Sequence, residues 1–143
     1  MSKTSYRENI AKHIVTTLRK IKSVRFVSRE VFEIDELSDA QFPAILVQSA
    51  SELKSDVEIG HQRIGTIEYV LTGFVKGRYL DTARNKLADS IETELYKDAT
   101  RDGYAIDTIV TEINTDEGVL FPLGAIQMIV RVEYYHSAGD LDK

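Results

Sequence analysis

The chain has 143 residues, 43% of them hydrophobic and 29% charged, with two prolines and no cysteine. That length suits one domain with a core of its own, and the composition excludes collagen-like, mucin-like and disordered classes. A formal charge of −5 argues against a domain that coats nucleic acid by bulk attraction, and the missing cysteines remove disulfides, thiolate zinc sites and thiol nucleophiles.

The charge is unevenly spread. Residues 1–29 hold eight Lys or Arg against the single acid Glu8, a local balance of +7 that leaves −12 on the rest. The start of the chain does not read as a signal peptide, and the longest aliphatic run, Ala44 to Val47, is far below the ~20 residues that span a bilayer. Cytoplasmic synthesis without membrane insertion is the expectation. One domain over residues 1–143 is expected, with flexible ends at the first few residues and about 137–143.

From about Thr4 to Ile21, Ile10, Ile14, Val15, Leu18 and Ile21 recur at three- and four-residue steps, the stripe of an amphipathic helix. The cations at its C-terminal end suit the negative end of the helix dipole. Val24 to Val27 reads as a short strand, and the acidic stretch Glu30 to Asp39 as an irregular connection. Phe42-Pro43-Ala44-Ile45-Leu46-Val47 starts a strand with proline where its missing N–H is tolerated. The polar stretch Ser51 to Gly60 includes one arm of a hairpin, with Gly60 at the turn.

Thr66 to Lys76 is apolar on both faces, as a central strand requires. Ala83, Leu87, Ile91 and Leu95 then step by four in a helix from about Asp81 to Tyr96, with Asp81 as the expected N-cap and Asp102-Gly103 closing the exit. A strand follows from about Ala105 to Ile113, and Asn114 to Gly118 supplies turn residues. In the last strand Ile126, Met128, Val130, Val132 and Tyr134 face one way, while Gln127, Arg131 and Glu133 face the other with Ile129 as the exception. The expected class is α+β: a single two-layer domain with a mostly antiparallel sheet and two helices packed on one face.

The chemistry-bearing residues form no familiar constellation. His13, His61 and His136 lie on a helix, a loop and the C-terminal region without metal-ligand spacing. Ser51-Glu52-Leu53-Lys54 matches an SxxK spacing but lacks the helix start and partner motifs of acyl transfer. Asp98, Thr100, Asp102 and Gly103 copy the opening of a calcium loop, yet Ile109 stands where a bidentate Glu belongs. The glycine pairs Gly60/Gly65 and Gly73/Gly77 lack the residues of a phosphate cradle, and Gly73 inside a strand marks a bulge or a close backbone approach.

Surface features remain. Gly118-Val119-Leu120-Phe121-Pro122-Leu123-Gly124 is apolar where a plain hairpin loop is polar. Either Leu120 and Phe121 tuck into the core or they form a subunit contact. Candidate contact residues are Arg19, Lys20, Lys22 and Arg25 in the basic segment, with Val119, Leu120 and Phe121 in the apolar cluster.

The N-terminal amphipathic helix, the Phe42 to Val47 strand, the strand ending Gly73-Phe74-Val75-Lys76-Gly77, the Ala83 to Ile91 helix and the final Pro122 to Tyr135 strand follow one another in a telling order. Over about Ile10 to Tyr135 it resembles the tail terminator, or tail completion, proteins of tailed bacteriophages. The resemblance implies a non-enzymatic virion protein, without cofactor or metal, forming a homo-hexameric ring at the head-proximal end of the tail. Such a ring stops polymerisation of the tail tube protein and meets the head-tail connector or neck protein. It implies assembly in the host cytoplasm and no membrane partner. DNA passes through such a ring without specific binding, and Gln127, Arg131 and Glu133 are the candidate lumen lining. Another head-tail joining protein (neck or head completion) and a small nucleic-acid-binding module using the basic helix are the alternatives.

Overall fold

The computed structural model describes residues 5–56, 62–118 and 120–137. The expected flexible ends, the Gly60 turn, His61 and Val119 therefore lie wholly or mainly outside the described residues. Among those described, the order is α1 (Tyr6–Arg19), β1 (Phe26–Ser28), β2 (Ala44–Asp56), β3 (Gln62–Lys76), α2 (Leu80–Tyr96), β4 (Asp107–Thr115) and β5 (Leu123–Ser137). The strands form one sheet in the order β1-β2-β3-β5-β4, antiparallel except for the parallel β1–β2 pair. This is the α+β domain that the periodicities predict.

Ser5 starts α1 by accepting the Glu8 N–H on its hydroxyl at 3.3 Å. The helix buries Ile10, Ile14 and Leu18 completely, side chains worth about 1.5 to 3 kcal/mol each on removal from water. α2 lies beside it on the same sheet face and contributes Leu87, Ile91 and Leu95. The sheet answers with Ile67, Tyr69 and Leu71 from β3, which stand opposite Val132, Val130 and Met128 of β5. β3 is central, as its two-faced apolar pattern requires.

Several boundaries differ from the expected ones. β2 continues through the polar residues to Asp56 because β3 pairs with it as far as Arg63. A bulge between Ser49 and Ser51 shifts the register there. Val47 faces the helices before it. After it Glu52 does, opposite Ile67, and Leu53 is turned outward and 73% exposed. Asn114 and Thr115 belong to β4, so the turn begins at Asp116. The expected Asp81 cap is not formed. α2 starts one residue earlier, with Tyr79 at the N-cap position and no side-chain cap bond, and Asp81 sits in the first turn 3.5 Å from Arg84.

The sheet face away from the helices is covered only at one corner among the described residues. There the acidic connection, containing short 3-10 turns at Ile34–Glu36 and Asp39–Gln41, folds Phe32 edge-on against Phe26 and Phe74.

Candidate interaction surface

The eight cations of the first 29 residues divide by position. Arg7 makes a bidentate pair with Glu52 at 2.9 and 3.0 Å, and Tyr134 donates its hydroxyl to the same carboxylate at 2.6 Å. Arg29 grips Glu8 in the same way at 2.7 and 3.0 Å. The bond from Arg7 holds the Glu52 carboxyl below its usual range against the cost of burial, and Arg29 does the same for Glu8. Both clamps fasten the start of α1 to other elements, so these two arginines are structural.

Arg19, Lys20, Lys22 and Arg25 are different. α1 ends at Arg19 and Lys20 is its C-cap, so the chain leaves the helix carrying four exposed cations in seven positions. Arg19 donates to the Val27 carbonyl at 3.3 Å. Lys20, Lys22 and Arg25 form no ion pair among the described residues. The Arg25 N–H bonds the Pro43 carbonyl, which puts this basic tip at the end of the sheet where β2 begins.

The apolar loop between β4 and β5 reaches solvent. Leu120 is 41% and Phe121 67% exposed, so the core-tucked alternative is excluded for both. The loop is nonetheless tightly held. Asp116, buried to 8% exposure, accepts from the N–H groups of Leu120 and Ala125 and from Arg84 Nη1, at 3.0 to 3.1 Å. Burial pushes its carboxyl up, and those two N–H groups with the Arg84 charge outweigh it and lower it overall. The Pro122 carbonyl also accepts from the Gly77 N–H across the end of β3.

Gln127, Arg131 and Glu133 share the sheet face that the helices leave open, opposite Thr72, Glu68 and Thr66 of β3. Gln127 and Arg131 are exposed and Glu133 is half-buried. Arg131 stands 3.9 Å from Glu68, so this strip is polar, with two carboxylates against one cation. It lies on the opposite face from the basic tip, and the apolar loop lies at one end, so the candidate residues form separate patches.

Two adjoining grooves run along α2. One, of about 650 Å³, lies between α2 and the end of α1 and is lined by His13, Lys20 and Lys22 among others. Burial, then the positive charge of Arg101, holds the His13 imidazole below its ordinary value, although Asp98 and Asp102 oppose this. The other, of about 430 Å³, has Val75 and Leu87 at its floor and Pro43, Ala83 and Lys86 around them.

Neither groove assembles a catalytic set. Asp98, the calcium-like position, spends its carboxylate on the Thr100 and Asp102 N–H groups and the Thr100 hydroxyl, fixing the exit from α2. Ser51 and Lys54 lie along β2, not at a helix start. No group of three His, Asp or Glu poised for a metal occurs among the described residues. No helix there is long and apolar enough to cross a membrane.

Neither a protein-family model nor a curated protein matches the chain. Among solved structures, one chain of the virion of a native gene transfer agent (GTA) particle is similar in outline, with a TM-score of 0.43 at 6% identity over 92% of each chain. That degree of likeness assigns neither a family nor a role.

Proposed function

We propose that the chain is a structural virion protein, a subunit of a homo-hexameric ring that caps a phage tail tube and joins it to the head connector. It acts without catalysis, by stopping addition of tube protein and presenting a docking surface. The observation that carries this reading is the pair of unlike exposed patches, the basic tip of Arg19, Lys20, Lys22 and Arg25 and the rigid apolar loop at Leu120 and Phe121. Rings are built from heterologous contacts between different patches on neighbouring copies. The element order along the chain, which resembles that of tail terminators, supports the same reading.

In such a ring the open sheet face is the natural lumen lining. Its Gln127, Glu133 and the Arg131–Glu68 pair offer no surplus of cations to hold passing phosphates.

Capping is tested by polymerising the cognate tail tube protein with and without this chain and measuring tube lengths by electron microscopy. The reading predicts shorter tubes with one blunt, decorated end. An unchanged length distribution and bare ends contradict it.

A further inference from the structure

The apolar loop and the smaller groove are complementary, and we infer that Phe121 of one copy seats in the groove floored by Val75 and Leu87 of the next. This inference rests on the ring reading and names the contact that builds it.

Three observations carry it. The first is placement. Ala83, Lys86 and Ser90 share one flank of α2 and, with Pro43, border the groove on the β1–β2 side. Arg84 points to the other flank, where it bonds Asp116 at the root of the loop. Both features lie at one end of the sheet, because the groove uses Val75 and Pro43 and the loop bonds Gly77. A copy cannot fill its own groove with α2 standing between. Knob and socket at one level on opposite flanks propagate sideways from copy to copy and close when the rotation does.

The second is form. Phe121 is the most exposed phenylalanine side chain that the core leaves out, at 67%, and its loop is pinned by Asp116, so little ordering cost is added on binding. The groove, about 430 Å³ with a buried apolar floor, accommodates an aromatic ring, the side chain most enriched at the centre of interfaces.

The third is charge. Glu117 is exposed beside the knob. Lys86 borders the socket with Asp89, and the adjoining groove is lined by Lys20, Lys22 and Lys97 with Glu94 and Asp98. Lys97 is paired with Glu94, which leaves Lys20, Lys22 and Lys86 against Asp89 and Asp98, a surplus of one cation. Facing charges of this kind fix register and speed encounter. Lys20 and Lys22 of the basic tip thereby acquire a role beside the socket, in the groove that adjoins it.

Phe121→Asp, Lys86→Glu and Lys86→Glu/Glu117→Lys all alter exposed positions, so folding is checked by circular dichroism and thermal unfolding. Light scattering then reads the concentration at which each assembles. Phe121→Asp is expected to raise it at least tenfold, and Lys86→Glu to raise it by an amount that the added Glu117→Lys reverses. Folded Phe121→Asp assembling like the wild type overturns the inference while the ring stands. Intact rings of Phe121→Asp that no longer shorten tubes do so too, by giving the loop to the tube. A wild type that stays monomeric even with tube protein overturns the ring reading itself.

Discussion

Gly73 lies where α2 presses on β3. A Cβ built there would meet Leu87 Cδ2 at 2.5 Å and Ile126 Cγ2 at 3.2 Å, both on buried side chains, so the packing of α2 on β3 must shift to admit it. Gly73→Ala is therefore expected to lower stability by about 1 to 3 kcal/mol through overpacking, a cost larger than the ~0.4 to 1 kcal/mol that alanine recovers by restricting the unfolded chain. A urea midpoint that falls at constant slope is the expected signature, and an unchanged or raised midpoint would show that α2 yields freely. The close approach is readable from a glycine inside an apolar strand. Other side chains defeat such reading. Arg101 is fully buried and its guanidinium donates to the Leu95 and Asp98 carbonyls at the end of α2, a favourable place for a cation. Nothing local distinguishes it from the exposed arginines.

At the scale of elements, the loop between β4 and β5 is tied to α2 by a buried ion pair. Arg84 and Asp116 are each 8% exposed at the side chain and lie 3.0 Å apart. Arg84→Met leaves a buried carboxylate with only backbone donors, which costs about 3 to 5 kcal/mol in comparable pairs. Denaturation at pH 7 should read that loss. Because the folded Asp116 carboxyl is depressed, its contribution is present above about pH 4 and is lost as pH falls through the folded value. The gap between wild type and Arg84→Met should therefore narrow on acidification, and a gap independent of pH would remove the ion pair from the account. This pair joins residues 32 apart and has no local signature. The same holds for Arg7 and Glu52, whose meeting depends on a bulge within a polar stretch. By contrast β5, with five buried residues at alternate positions, and the four-residue steps of α2 declare themselves. Phe121 was undecidable locally, since an apolar loop and a tucked strand have the same composition, and only the turn beginning at Asp116 directs it outward.

For the whole molecule, the organisation is a helical layer and an open sheet face, with unlike patches at one end. The −5 total conceals this arrangement because Arg7 and Arg29 are consumed internally while Arg19, Lys20, Lys22 and Arg25 stay exposed. A copy with a knob on one flank and a socket on the other assembles head to tail, a pattern distinct from the self-complementary patch of a two-fold dimer. Native mass spectrometry of the wild-type chain at micromolar concentration, with and without tube protein, tests this most directly. The account predicts one closed species of six copies at saturation; a strict monomer under both conditions, or a dimer that grows no further, would contradict it.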